Sequence, residues 1–489
     1  MTQQARISFF LPPILFWGLI GGFVFLRSVM VMLSPLELGV DEAQYWLWGQ
    51  NLAFGYYSKP PLIGWWLGLC DALFGSSAAA ARIGAPLLHG LIATLLYHIA
   101  AMLYDRAAAQ IAAILWISLP VVGLGSFVIS TDSLMLLFWS AGLYCLVRAE
   151  THQGNNDIIW LGLAGLMTGF AMLAKYAAIY FVIGMAGFLL SKSRQNPSGR
   201  LIKGGLAFIA GCLAGASPTW GWNLLNSFVT VRHLGENANL EIPLYSFSNM
   251  AEFIAAQFAV TGPIIGVLVC IALVAGRRGT GTQHQPAMLL WFILPPLFII
   301  TAQAFIKEAN ANWAVAAYPA AIILTAGMIG RKITSPGWQI ASLSGIGVNI
   351  FITLGVGLCL GTGSLGIFTP DSDPLRRLRG WSVLAEDTVQ IANRTGANAV
   401  LASSRASAAA LSWKLADTRL EIVVPAPDAA PSNHYERTAP LGDDTPRPLI
   451  AITDIGKYPD QLEGWQSVGS SSTEISANRS REFQFWLLP

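Results

Sequence analysis

The segment Val40-Asp41-Glu42-Ala43-Gln44-Tyr45-Trp46, continuing to Gly55-Tyr56-Tyr57-Ser58-Lys59-Pro60-Pro61-Leu62, follows directly on the first long apolar run of the chain. It sets two adjacent carboxylates, several aromatics and one lysine beside a hydrophobic stretch, in a protein where only 11% of residues are charged. Its surroundings decide the fold class. Over 489 residues the chain is 54% hydrophobic with 17 Trp, and its mean hydropathy is +0.53, which is more apolar matter than one soluble core needs. The chain is read as largely bilayer-embedded.

Working outward, apolar runs long enough to cross a hydrocarbon core of about 30 Å as helix recur at 8–33, 83–104, 107–127, 133–149, 157–174, 176–191, 203–222, 251–275, 286–305, 312–330 and 338–360. The stretch 60–74 is apolar but short, opens on Pro-Pro and contains Gly64, Gly68 and Asp71, so an interfacial helix is expected there. Counting it as a crossing would invert the topology downstream. Lysine and arginine favour the eleven-span count, since cytoplasmic loops collect positive charge. That count puts Arg6, Arg106, Arg148, Lys192, Arg194, Arg200, Lys203, Arg277, Arg278, Arg331 and Lys332 inside, and leaves Lys59, Arg82, Lys175, Arg232 and Lys307 outside.

Eleven spans from a cytoplasmic N-terminus export the C-terminus. A transmembrane domain is therefore expected over 1–365 and a soluble exported domain over 366–489. In that tail the apolar runs shorten to strand length at 399–402, 420–424 and 449–452, with helical stretches near 381–394 and 405–415, the pattern of a small α/β domain. No GxGxxG or P-loop motif marks a nucleotide site. The N-terminal run lacks a small-residue cleavage site and is read as a retained helix. The five cysteines, Cys70, Cys145, Cys212, Cys270 and Cys359, sit in apolar segments without CxxC spacing, which suggests neither a disulfide framework nor a zinc site. A net charge of +2 gives no reason to expect a nucleic-acid partner.

The topology gathers the polar signals on the exported side: Asp41, Glu42 and Lys59; Ser130-Thr131-Asp132-Ser133; Lys175-Tyr176; Asn223; Arg232-His233-Leu234-Gly235-Glu236; and Lys307 to Trp313 with Asn310 and Asn312. Carboxylates for proton transfer and cations for an anionic group suit an enzyme at that membrane surface. Each element has a plainer reading. Asp41 and Glu42 can be the acidic first turn of a helix, and Asp132 a helix cap. Lys59 can be a snorkelling anchor, and His233 with Arg232 a polar loop pair. Trp313 and Tyr318 can belong to an aromatic belt. Asn310 and Asn312 can hydrogen-bond sugar or phosphate oxygens, or serve as caps.

The order of a span, Asp41-Glu42, Tyr45, Gly55-Tyr56-Tyr57-Ser58-Lys59-Pro60-Pro61-Leu62, an interfacial helix and Ala81-Arg82-Ile83-Gly84 resembles the membrane glycosyltransferases of the GT-C fold. More narrowly, it is similar to the branch holding protein O-mannosyltransferases and the lipid A aminoarabinose transferases. Thr131-Asp132-Ser133, Pro218 with Trp222-Asn223, and Ala311-Asn312-Trp313-Ala314 with Tyr318 extend the resemblance over about 8–330.

The resemblance implies a polytopic α-helical enzyme of the inner membrane with an exported α/β tail. Its donor would be a sugar on a polyprenyl phosphate, its acceptor a lipid, lipopolysaccharide or other glycan of the cell envelope, and transfer would invert the anomeric carbon. Asp41 is the implied proton acceptor and Lys59 the implied phosphate partner. Lys175, Arg232 and Lys307 are further phosphate candidates by side and sign. Glu42 and Asp132 join the polar site, and Tyr45, Tyr57, Asn223, His233, Glu236, Asn310, Asn312, Trp313 and Tyr318 are substrate-binding candidates. Ser58 stands where the aminoarabinose transferases carry an acidic residue, so metal ligands stay unassigned, although a divalent metal is compatible with the family. The tail is expected to help dock the acceptor. A transporter or flippase of lipid-linked sugars predicts mid-span charges and matching halves, neither of which is visible; a protein acceptor is the other alternative.

Overall fold

The computed structural model describes residues 11–151, 156–195, 199–238, 245–277, 285–363, 373–428, 430–455, 464–476 and 479–488. Arg6, Arg278 and the expected boundary at 365/366 lie outside the described residues. Among the described residues, nine helices are long and apolar enough to cross a bilayer: Pro13–Leu33, Ala78–Leu103, Thr131–Thr151, Asp157–Ala174, Tyr176–Gln195, Gly199–Leu225, Ala287–Ile306, Ala311–Lys332 and Pro336–Thr362. They match nine of the eleven expected runs. In the Ala311–Lys332 span residues 314–330 are all buried, as befits a helix apolar on every side.

The other two runs are broken, for local reasons. The segment expected as 251–275 is two helices, Phe247–Thr261 and Pro263–Gly276, bent by 108°. Gly262 takes φ +85° between them, a left-handed conformation that glycine adopts at no steric cost, and Pro263 restarts the chain with a fixed φ. A Cβ at Gly262 would lie 1.7 Å from Asn349 Oδ1. The buried Asn349 amide donates to the Thr261 carbonyl at 2.9 Å, so a polar side chain meets the backbone group that the break leaves open. The run expected as 107–127 is the helix Arg106–Ser118, capped by Asp105 on the Ala108 N–H at 2.8 Å, followed after Leu119 by the short helix Pro120–Gly125. Its first part is 13 residues long, about 20 Å of helix. Most of it is buried among neighbouring helices.

The chain divides into two compact units. One holds residues up to Val31, Lys59–Leu62 and Arg82–Leu358; the other holds Met32–Ser58, Ile63–Ala81 and Cys359–Pro489. The segment carrying Asp41 thus groups with the C-terminal tail. In this second unit the helices Val40–Gln50 and Leu62–Phe74 cross at their glycines: a Cβ on Gly49 would lie 2.6 Å from Gly68 N, and one on Gly68 2.7 Å from Gly49 O. The 62–74 helix appears where the interfacial helix was expected.

The tail is an α/β domain whose five strands are β1 (Ala399–Ala402), β2 (Glu421–Val423), β3 (Leu449–Asp454), β4 (Gln466–Ser476) and β5 (Arg479–Leu488), in sheet order β2-β1-β3-β5-β4. β1 runs parallel to β2 and β3, with Ala399 opposite Glu421 and Leu449. β1 is buried along its whole length, as parallel strands covered on both faces are. The helices Trp381–Thr395 and Arg405–Lys414 fall where the apolar periodicity places them. The antiparallel pair β4–β5 is an addition to the expected fold. β4 reads Gln-Ser-Val-Gly-Ser-Ser-Ser-Thr-Glu-Ile-Ser, mostly small and polar, so it has little of the apolar alternation that marks a strand.

Candidate active site

In the second unit, the carboxylates of the opening segment diverge. Glu42 is buried and accepts the Gly39 N–H at 2.9 Å at the start of helix Val40–Gln50; it reaches back as the third residue of a capping box does, with a glycine N-cap that has no side chain to reciprocate. Asp41 keeps 64% of its side chain exposed. One of its oxygens accepts Arg405 Nη2 at 2.5 Å, and Arg405 Nε donates to Gln44 Oε1 at 2.9 Å. No bond to its other oxygen accompanies these among the described residues, and most of the carboxylate side chain stays open to solvent.

The aromatics beside it build the frame. Trp48 stacks on Tyr56 with ring centroids 4.5 Å apart and planes 2° from parallel, and the Tyr56 hydroxyl donates to the Trp48 carbonyl at 2.8 Å. Burial pushes the Tyr56 phenol up to about 12. Tyr45 is buried and packs on Trp48 at 5.3 Å. Tyr57 is buried, with its hydroxyl donated to the Pro431 carbonyl at 2.6 Å. Both substrate-binding candidates of this segment, Tyr45 and Tyr57, thus pack within it. His434 meets the Trp48 ring edge-on at 5.6 Å; burial first, then the positive charges of Arg405 and Arg437, hold its imidazole down at about 4.

The first unit carries a second polar cluster. Lys175 Nζ reaches Asp132 Oδ1 at 2.7 Å, and Asn312 Nδ2 donates to Asp132 Oδ2 at 2.9 Å. Three elements meet here: the start of helix Thr131–Thr151, the break after helix Asp157–Ala174, and the 3-10 turn Ala311–Ala317. Asp132 spends its oxygens on a lysine and an amide, so it ties distant segments together rather than capping its own helix. The side chains of Asp132 and Lys175 are 16% and 22% exposed, a setting in which a charge pair is stronger than in open water.

The remaining candidates separate by burial. Asn223 is fully buried, donating to the Tyr176 hydroxyl at 2.8 Å and the Thr219 carbonyl at 2.9 Å. Tyr318 is 3% exposed and donates to Gln257 Oε1 at 2.5 Å, while Trp313 packs against the cluster of Phe253, Ile300, Ala304 and Ala314. Both aromatics thus pack between helices. Asn310 is exposed at the N-cap of the 3-10 turn and its side chain makes no cap bond. Lys59 and Lys307 are half-buried; Arg232 is exposed and His233 half-buried on helix Val229–Ala238. The Glu236 side chain lies outside the described residues.

Between helices Phe247–Thr261 and Gln285–Ile306 opens an apolar cavity of about 350 Å³ lined by Phe247, Met250, Phe298, Thr301, Ala302 and Phe305. Among the described residues, no three His, Cys, Asp or Glu side chains converge as metal ligands.

Sequence reasoning missed Arg405, Gln44, His434 and Gln257. Arg405 had one signal: a cation at the first position of a helix is disfavoured by the helix dipole, so something outside the helix had to justify it. The others carry no local signal.

The chain is similar to known proteins. Residues 58–222 match the family model described as dolichyl-phosphate-mannose-protein mannosyltransferase. The lipid A galacturonosyltransferase RgtD of Rhizobium johnstonii is 30% identical over 456 residues, 91% of this chain and 93% of that protein. The undecaprenyl phosphate-alpha-4-amino-4-deoxy-L-arabinose arabinosyl transferase of Aeromonas hydrophila is 25% identical over 279 residues, 53% of this chain and 48% of its own. The crystal structure of ArnT from Cupriavidus metallidurans in the apo state superposes with a TM-score of 0.67 at 14% identity, covering 97% of each chain, which identifies a common fold.

Proposed function

Because the chain belongs to the GT-C membrane glycosyltransferase family that includes lipid A galacturonosyltransferase, we propose that it transfers a hexuronic acid from a polyprenyl-phosphate carrier to lipid A or the lipopolysaccharide core. The single observation that carries this reading is the similarity running through both units, tail included, to a galacturonosyltransferase; the aminoarabinose transferase of Aeromonas hydrophila is similar over about half of its length. The enzyme is a polyprenyl-phosphate-sugar-dependent glycosyltransferase of the inner membrane, multi-pass, with lipid-linked donor and envelope glycolipid acceptor.

In the proposed reaction an acceptor hydroxyl loses its proton to Asp41 as its oxygen attacks the anomeric carbon. The bond from that carbon to the carrier phosphate breaks on the opposite face, so configuration inverts in one displacement. Negative charge grows on the departing phosphate, and fixed cations stabilise that stage more than the ground state; Lys59 and Lys175 are assigned this work, with Arg232 and Lys307 as further candidates. Asp132, itself bonded by Asn312, holds the Lys175 ammonium in place. The apolar cavity between Phe247 and Phe305 suits an isoprenoid tail, since it offers no polar partner that the tail would leave unsatisfied. The N-terminus is assigned to the cytoplasm and the α/β tail to the exported side, in line with the lysine and arginine distribution.

Mass spectrometry of lipid A and core from cells with and without the gene tests the reading. The expected difference is one hexuronyl residue, restored by the wild-type gene and not by Asp41→Asn, with equal protein in the membrane. A missing aminoarabinose, or no glycolipid change, overturns it.

A further inference from the structure

The α/β tail grips the segment that carries Asp41 through a pair of charged anchors. Helix Arg405–Lys414 places Arg405 at its first position and Lys414 at its last. Arg405 holds Asp41 and Gln44, and Lys414 Nζ lies 3.5 Å from Glu37 Oε1. The same Glu37 carboxylate accepts the Trp381 N–H at 2.8 Å and the Ser382 N–H at 2.6 Å, and also the Ser382 hydroxyl, so it satisfies the open start of helix Trp381–Thr395. Two helices of the tail thereby fix residues 37 to 44 from both ends.

Arg405 is costly where it stands. Ser404 and Ser407 form a reciprocal capping box, with Ser407 N to Ser404 Oγ at 3.1 Å and Ser404 N to Ser407 Oγ at 3.2 Å, and this anchors the helix start without any help from a cation. A positive charge there opposes the helix dipole, and its neighbours Arg437 and His434 give it no anion. What it gains is the fork: Nε bound to the buried Gln44 amide sets the guanidinium plane, and Nη2 then presents a hydrogen bond to one oxygen of Asp41 only. The planar guanidinium makes such an orientation rigid in a way that an ammonium does not. A local rule broken with a specific tertiary return is the mark of a functional position.

We infer that Arg405 is a positioning residue for Asp41, and that the exported tail is therefore a working part of the reaction centre: through the Gln44–Arg405–Asp41 chain it aims the free carboxylate oxygen at the acceptor hydroxyl. This rests on the reading of Asp41 as the proton acceptor. It replaces acceptor docking as the first duty of the tail.

The full-length enzyme in proteoliposomes, with a polyprenyl-phosphate-linked uronic acid and purified lipid A, tests the inference. Arg405→Ala is expected to lower kcat by about 10²-fold while KM for both substrates changes less than about threefold, since misalignment costs the chemical step rather than binding. Arg405→Lys, which keeps the charge and loses the fork, recovers less than a tenth of the lost rate. Ethylguanidinium added to Arg405→Ala restores activity several-fold, which no repair of a merely loosened fold would do. Asp41→Asn with Arg405→Ala is no slower than Asp41→Asn alone, because residues that act as one unit are not additive. Wild-type kcat in Arg405→Ala or Arg405→Lys, or losses that multiply in the double variant, overturn the inference while leaving Asp41 as the base. Full activity in Asp41→Asn instead removes the reading beneath it. Should Arg405→Ala fail to accumulate in the membrane, Arg405→Lys and Arg405→Gln carry the same comparison.

Discussion

Asp41 and Glu42 are neighbours in sequence with opposite fates: one carboxylate is exposed and held by an arginine, the other is buried and caps the Gly39 N–H at the helix start. A helix start takes its cap from one fixed position, so only one of two adjacent acids can serve it. Lys175 and Asp132 make a comparable unit in the first unit of the chain. Lys175→Ala and Asp132→Ala are each expected to lower kcat about 10- to 100-fold, with the double variant no worse than the slower single, because each group's role depends on the other; single-turnover rates with matched protein amounts decide it. His434 supplies a pH test. Its imidazole sits near 4 against an unfolded value of about 6.5, so between these pH values the unfolded chain binds a proton that the folded unit refuses. Stability from this residue is complete above about pH 6.5 and is lost as pH falls toward 4, by roughly 3 kcal/mol at most. The melting temperature should therefore drop between pH 7 and pH 5, and His434→Gln should flatten that drop.

At the scale of elements, glycines and breaks set the geometry. Gly49 and Gly68 let the helix bearing Asp41 lie backbone to backbone on helix Leu62–Phe74. Gly68→Val puts side-chain atoms where the Gly49 carbonyl stands, and is expected to cost about 1–3 kcal/mol by overpacking together with most of the transfer activity; thermal unfolding and turnover measured on one preparation check both. The hairpin β4–β5 was hidden because its serines give no period-2 pattern, yet it pairs β5 against β3, with Phe485 fully buried opposite Ile452. Phe485→Ala should remove about 3–5 kcal/mol of stability, as aromatic truncation in a core does, and protease sensitivity of the tail would rise with it. The bent pair at Gly262 looked like one span because hydropathy sums over a window and cannot see a single residue with positive φ.

On the scale of the whole molecule, composition alone places the chain in a membrane, and among the described residues nine of the eleven expected spans appear as helices long enough to cross one. With native cysteines replaced, a cysteine introduced at Arg232 or Asp443, both exposed, is expected to react with an impermeant maleimide from the exported side; labelling from the cytoplasm alone would reverse the proposed orientation. Hydropathy, charge asymmetry and the Asp41 to Leu62 motif are local properties, carried by residues close in the chain, and the sequence by itself determined from them the membrane class, the α/β tail with its first three strands and the Asp41–Lys59 segment. Tertiary structure decided which of those polar residues meet a partner. Arg405 stands 364 positions from Asp41 and Asn312 stands 180 from Asp132; no periodicity links residues so far apart, because their pairing is written in the packing of whole elements and not in the spacing of the chain.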